Sequence, residues 1–187
     1  MTKRFRTSTF ETPRLRLRAL EPGDEEFLAA LDSDPEVMQY IHSGAISEEA
    51  AKDWAKLQVE TAPHRWHLTK WMVELRDKER SRIGWMELAK FRGVFDPEEE
   101  KLSDDVSLGY EFAPNYWQQG FAAEAARPVL AYAFETLDLD RLVAFVRPEN
   151  VRSVRLLEKL GFREHARRGF RDEGGHECRL YALKSED

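Results

Sequence analysis

The sequence predicts a mixed α/β fold, and three observations carry that expectation. Short runs alternate apolar and polar residues with period two, as half-buried strands do; one instance is Arg-Leu-Arg-Leu-Arg-Ala-Leu over 14–20. A long run after Gly120 places Phe121, Ala125, Val129, Tyr132, Ala133 and Leu137 on one helical face. Strand-like and helix-like segments also alternate along the chain, in the order strand, helices, three strands, helix, strand, helix, two strands. At 187 residues the chain has the size of one domain. It is read as a single domain over 1–187, with its core over about 12–184.

In order, the 14–20 strand carries an arginine face. Pro22-Gly23-Asp24 breaks it and caps a short helix bearing Phe27, Leu28 and Leu31. A second helix spans Ser47 to about Thr61, with Glu48 and Glu49 in the first turn, where the helix end is positive. Trp66 to Leu75 and Arg82 to Phe91 read as a hairpin around the polar turn 76–80. The acidic stretch Asp96 to Asp105 reads as a solvated loop, and Val106 to Phe112 resumes strand character. Pro128 lies inside the long helix and should kink it or cost it a hydrogen bond. Arg141 to Val146 is a strand. Asn150 to Leu160 is a helix stopped by Gly161, and Phe162 to about Arg168 and Glu177 to Leu183 are closing strands.

Composition removes several functional classes. With 29 Lys and Arg against 35 Asp and Glu, the formal charge is −6, which disfavours a nucleic-acid binder. The single cysteine, Cys178, can neither close an internal disulfide nor supply a zinc-finger set, and it reads as a small buried hydrophobe. There is no long apolar run and no hydrophobic segment at the N-terminus, so a soluble, cytoplasmic protein away from membranes is expected. Gly-x-Gly-x-x-Gly, Walker A, Gly-x-Ser-x-Gly and His-Glu-x-x-His motifs are all missing. Of His42, His64, His67, His165 and His176, only His64 and His67 are close in sequence. Without a third ligand they give no metal site, and none is expected.

The informative segment is 112–123. A strand ends, a polar loop follows, and a helix opens at Gly120-Phe121-Ala122-Ala123. The first-turn amides of a helix have no intrahelical partner, and small residues there leave them uncovered. A phosphate or pyrophosphate would fit that positive end, although an ordinary, closely packed helix start reads the same way. Further on, Asn150, Ser153 and Leu157 share one face of the next helix, and the Asn-x-x-Ser pair is also a structural cap.

Taken together, Tyr116-Trp117-Gln118-Gln119-Gly120-Phe121-Ala122-Ala123-Glu124-Ala125, then Asn150-x-x-Ser153 and Lys159-Leu160-Gly161-Phe162, resemble the GNAT superfamily of acyl-CoA N-acyltransferases. Thr12-Pro13-Arg14-Leu15-Arg16-Leu17-Arg18 and Leu108-Gly109-Tyr110 look like its RimJ/RimL branch. The resemblance runs from about Thr12 to Leu183. It implies a mostly antiparallel, splayed sheet of about six to seven strands flanked by helices. The family pattern Arg/Gln-x-x-Gly-x-Gly/Ala falls on Trp117 to Ala122, with Trp117 where a basic or amide residue is usual.

The resemblance further implies an N-acetyltransferase moving an acetyl group from acetyl-CoA to a primary amine, by direct attack in a ternary complex. Amides of Gln118, Gln119, Gly120, Phe121, Ala122 and Ala123 would hold the CoA pyrophosphate. Main chain at Phe112 and Ala113 would pair with the pantetheine arm, and Asn150 would bond it as well. Many relatives carry a tyrosine acid seven residues after the asparagine, where this chain has Leu157. RimL-like proteins use the serine three after the asparagine, here Ser153; alternatively the thiolate leaves into solvent.

Glu111 is the leading candidate base, with a solvent-facing or arginine-paired strand carboxylate as the other reading; Asp172 and Glu173 come next. Arg152, Arg155, Lys159 and Arg163 would meet the nucleotide 3′-phosphate or form a solvated basic face, and Arg167, Arg168 and Arg171 are similar. Trp54, Trp66, Trp71 and Trp85 are walls of an acceptor pocket or aromatic core. The acceptor is a protein or peptide N-terminus on the RimJ/RimL likeness, with a small amine such as a polyamine or aminoglycoside as the alternative. A non-catalytic CoA-binding domain is the reading from another class. Exposed strand edges are compatible with a homodimer.

Overall fold

The computed structural model describes residues 8–41, 44–62, 68–90, 105–165, 170–171 and 174–185. Six strands of five residues or more build the sheet: β2 (Leu15–Ala19), β3 (Lys70–Leu75), β4 (Arg82–Lys90), β5 (Val106–Phe112), β6 (Arg141–Val146) and β9 (Glu177–Lys184). The two-residue pieces β1 (Phe10–Glu11), β7 (Arg163–Glu164) and β8 (Phe170–Arg171) extend its margins. The order is β1-β2-β3-β4-β5-β6-β9-β7, with β8 against β9. Every neighbour is antiparallel except β5 and β6, which are parallel.

That parallel step positions the site. β5 and β6 pair only at Val106 with Leu142 and Ser107 with Val143. Beyond Ser107 the two strands diverge, and the sheet opens along the C-terminal half of β5. Each of the two strands is followed by a helix, α3 (Phe121–Ala131) after β5 and α4 (Val151–Lys159) after β6. Because the strands are parallel, both helices begin at the same sheet edge, on either side of the opening.

The period-two pattern sorts the two faces. Leu17, Met86, Leu88, Leu142, Ala144 and Tyr181 face α3 and α4 in one core. Met72 and Trp85 face α1 (Glu25–Ser33) and α2 (Glu48–Thr61) in a second. Gly84 is required where β4 meets β5, because a Cβ there would collide with the Glu111 carbonyl and the Phe112 ring.

Local expectations met mixed outcomes. Ser47 caps α2, accepting from the Ala50 amide at 3.3 Å. Gly161, at φ +93, ends α4, with the Phe162 amide reaching back to the Leu157 carbonyl. Asp24 sits at the cap position of α1, where its carbonyl accepts from the Leu28 amide at 3.1 Å, but its side chain makes no cap bond. It is fully buried and clamps Arg18 at 2.7 and 2.9 Å, while Arg82 donates to it at 2.7 Å. The arginine face of β2 is therefore partly internal: Arg18, held also by Glu74 at 2.8 Å, is buried. α3 runs through Pro128 and then widens into a π-helical turn over Tyr132–Thr136, where the Leu137 amide bonds the Tyr132 carbonyl at 3.0 Å. The strand expected from Phe162 is only β7 long within the described residues. The acidic loop before Asp105 and the start of the hairpin at Trp66 lie outside them.

Candidate functional site

The ladder between β4 and β5 decides which backbone groups line the opening. The Ala113 amide donates to the Ile83 carbonyl at 2.9 Å, with Gly84 opposite Phe112. In an antiparallel ladder successive residues alternate direction. The main-chain groups of Tyr110 and Phe112 therefore point away from β4 into the opening, and the Ala113 amide points back into the sheet. The Phe112 carbonyl accepts from the Trp117 indole at 2.6 Å. Sequence reasoning placed both Phe112 and Ala113 there. The geometry brings Phe112 to the opening, adds Tyr110, and leaves the Ala113 amide engaged with β4.

One mouth of the opening is the α3 N-terminus. Gly120 is its cap residue at φ +80, the left-handed region that glycine adopts without strain, and Gln118 precedes it at φ 58. The first amide to close a helical bond is that of Glu124, to the Gly120 carbonyl at 3.0 Å. Amides of Phe121, Ala122 and Ala123 therefore belong to the open helix end, and Gln118, Gln119 and Gly120 are exposed beside them. A dianionic group fits this cradle of amides and small side chains.

Arg14 stands at the same mouth. Its Nε donates to Glu124 Oε2 at 2.6 Å and its Nη1 to the Gln119 carbonyl at 3.1 Å, and its guanidinium lies 4.2 Å from the centre of the Phe121 ring. Thr12 donates to Glu124 Oε1 at 2.6 Å. Burial would raise the Glu124 carboxyl, but these donors and the Arg14 charge hold it below the usual range. The Thr-Pro-Arg opening thus latches the first strand to the helix mouth, a role that sequence spacing over 110 residues did not reveal.

The other mouth is α4. Asn150 Oδ1 accepts from the Ser153 amide at 3.2 Å, which leaves its amide nitrogen available as a donor. Arg152 stacks over the Trp117 ring at 3.9 Å and so joins the two mouths. Leu157, where many relatives carry tyrosine, is buried in the core. Tyr110 of β5 lies beside Ser153, whose interaction favours the ionised phenol. Its ring is half-buried while its hydroxyl lies deep, and burial, opposed by Ser153, pushes the phenol up to about 12.

Glu111 points to the other face of β5 and is 7% exposed. It accepts from Trp85 Nε1 at 3.1 Å. Burial raises its carboxyl from 4.5 to about 8; Lys70 and the Trp85 bond pull it down, and Asp32 and Glu87 push it further up. Lys70 is buried as well, bonded to Gln58 at 2.6 Å, 3.7 Å from Glu87 and 3.4 Å from the Trp85 ring centre. Glu111 is thus neither solvent-facing nor arginine-paired. Burial holds its proton well above the usual carboxylate range.

The remaining candidates disperse. Trp71 is core, against Phe10 and Tyr132; Trp85 holds Glu111; Trp54 is 48% exposed on α2. Cys178 is buried. Arg155 and Lys159 are exposed on α4. Trp66, His42, His64, His67, Arg167, Arg168, Asp172 and Glu173 lie outside the described residues. No helix among the described residues is long and apolar enough to cross a membrane.

Two helix mouths flanking a parallel splay coincide with a known pattern: the acetyltransferase (GNAT) domain family matches residues 14–163. The chain belongs to the GNAT acetyltransferase family. It is 35% identical over 160 residues to the uncharacterized N-acetyltransferase YnaD of Bacillus subtilis, covering 85% of this chain and 83% of that protein. A GNAT-family acetyltransferase from Bacillus anthracis superposes with a TM-score of 0.76 at 26% identity, over 96% of this chain and 100% of that one. The spermidine N-acetyltransferase of Vibrio cholerae, solved with CoA and spermine, superposes with a TM-score of 0.70 at 24% identity, over 94% and 98% of the two chains. This GNAT protein is accordingly an N-acetyltransferase acting on an amine.

Proposed function

We propose that the protein transfers an acetyl group from acetyl-CoA to the α-amine of a peptide or protein N-terminus, within a ternary complex. The observation that carries the reading is Glu111, a buried carboxyl with a pKa of about 8 on the strand that borders the opening. When bound, acetyl-CoA supplies an activated thioester. Open amides of Phe121 to Ala123, with Gln118, Gln119 and Gly120, cradle its pyrophosphate beside Arg14. Phe112 main chain and the Asn150 amide hold the pantetheine arm in the opening. Glu111 takes the proton that the attacking amine loses, and Ser153 hydrogen-bonds the departing sulfur.

Energetics favour an α-amine. Deprotonating a lysine-like amine of pKa 10.4 at pH 7 costs about 4.6 kcal/mol, whereas an α-amine near 7.8 costs about 1 kcal/mol. A base of pKa about 8 suffices for the second. Arg147 donates to the Gln39 carbonyl and so ties the end of β6 to the turn after α1. The V. cholerae spermidine enzyme keeps a small polyamine as the second reading.

Calorimetric titration with acetyl-CoA tests the donor site, using Ala122→Glu as the variant. That substitution places a carboxylate at the helix mouth without disturbing the left-handed Gly120. Binding by wild type and at least tenfold weaker binding by A122E are expected. Turnover with N-terminal peptides above that with spermidine or aminoglycosides would support the peptide acceptor; preference for spermidine would overturn it. Binding without turnover on any amine would favour a silent CoA-binding domain.

A further inference from the structure

The cradle at the α3 mouth begins in a loop, and an unrestrained loop would turn its amides in many directions. Arg14 removes that freedom. Its Nη1 donates to the Gln119 carbonyl at 3.1 Å, while its Nε donates to Glu124 Oε2 at 2.6 Å. The Glu124 amide in turn bonds the Gly120 carbonyl at 3.0 Å. One guanidinium thus spans the left-handed Gly120 turn and ties the peptide before it to the first closed turn of the helix. A trans peptide points its N–H opposite to its carbonyl. With the Gln119 carbonyl held on Arg14, the Gly120 N–H on the same peptide faces away from the guanidinium, and no described residue accepts from it. Glu124 is itself seated from the other side, accepting from Thr12 Oγ1 at 2.6 Å and from the Arg14 amide at 2.9 Å.

We propose that Arg14 is a positioning residue for donor binding: by bridging the Gln119 carbonyl and the Glu124 carboxylate it fixes the Gly120 peptide with its N–H presented to the pyrophosphate. The inference rests on the acetyl-CoA reading above and concerns binding, not the transfer step. A fork-shaped side chain is required, because two acceptors are met by different nitrogens at once. Lysine offers a single point of donation and cannot hold both in this geometry. The remaining nitrogen, Nη2, would lie 3.6 Å from a Cβ at Gly120, so the guanidinium closes against the turn itself. The Phe121 ring, centred 4.2 Å from the guanidinium carbon, supports it from the helix side. Pyrophosphate and thioester are far apart along the donor. Loosening the turn therefore weakens the hold on the nucleotide end and leaves the reacting atoms in place.

Wild type, Arg14→Gln and Arg14→Lys test this, compared by calorimetric CoA affinity, by kcat and KM with acetyl-CoA, and by kcat/KM with S-acetylpantetheine, which lacks the pyrophosphate. A hydrogen bond involving a charged group carries about tenfold or more in an equilibrium. R14Q should therefore weaken CoA binding and raise KM about tenfold, with kcat at saturating acetyl-CoA within about twofold. S-acetylpantetheine should serve all three proteins equally, within about twofold. R14K keeps the charge and loses the bridge, so it should bind CoA nearly as weakly as R14Q. In 15N-glycine-labelled protein, R14Q should displace the Gly120 amide resonance and leave that of Gly161, which ends α4, where it is in wild type. Wild-type CoA affinity in R14K, an unchanged KM in R14Q, or equal losses with acetyl-CoA and S-acetylpantetheine would overturn the proposal while leaving the acetyl-CoA reading intact. Absence of CoA binding by wild type would instead remove that reading itself.

Discussion

Glu111→Gln separates two consequences of one buried carboxyl. Burial against Trp85 raises its pKa from 4.5 to about 8, so the folded state holds this proton far more tightly than the unfolded chain does. Its contribution to stability is complete below about pH 4.5 and is lost as pH rises toward 8, because ionising the group inside the fold is costly. At about 1.4 kcal/mol for each tenfold change in proton affinity, the difference between 4.5 and about 8 amounts to about 5 kcal/mol. Glutamine keeps the shape and cannot ionise. Urea unfolding of wild type and E111Q at pH 4 and pH 9 should therefore show E111Q gaining about 5 kcal/mol relative to wild type between the two. Activity should move the other way. Loss of a general base costs about a hundredfold or more. Below pH 7, log kcat/KM for a peptide α-amine should climb with slope two in wild type, from carboxyl and amine together, and with slope one in E111Q. Equal slopes with rates within threefold would refute Glu111 as the base, and parallel stability curves would refute its raised pKa.

Two further outcomes follow from neighbouring charges. Lys70→Met removes the cation that holds the Glu111 carboxyl down, so the acid limb of kcat/KM should move to higher pH, measured over pH 6 to 9.5. Asp24→Ala strips Arg18 of a bidentate partner inside the fold and should cost about 3 kcal/mol in urea unfolding at pH 7. Burial opposes the ionised Asp24, but Arg18, the Glu21 amide and Arg82 outweigh it and keep the carboxyl below 3.8. The wild-type clamp is thus complete above that pH and lost as acid protonates it, so the Asp24→Ala deficit should shrink toward pH 2.

Much of the molecule was legible in the order of its residues. Alternation over 14–20, the helical stripe after Gly120, and Gly161 after a charged helix are local patterns, and their periods or φ preferences leave few alternatives. The helix opening at Gly120 and the cap at Asn150 were legible for the same reason, since open amides and side-chain caps act over three or four residues. Tertiary structure alone decided the rest. Whether the Asp24 side chain caps α1 or clamps Arg18 depends on β2 and β3 bringing Arg18 and Glu74 beside it. Arg14 meets Glu124 across 110 positions, and Tyr110 of β5 comes beside Ser153 of α4. The Glu111 carboxyl is raised to about 8 only because packing buries it, with Asp32 and Glu87 pushing it further up against the pull of Lys70 and the Trp85 bond. A dipeptide spacing fixes direction along one element, while burial and partners across elements are set by packing, and proton affinity follows burial.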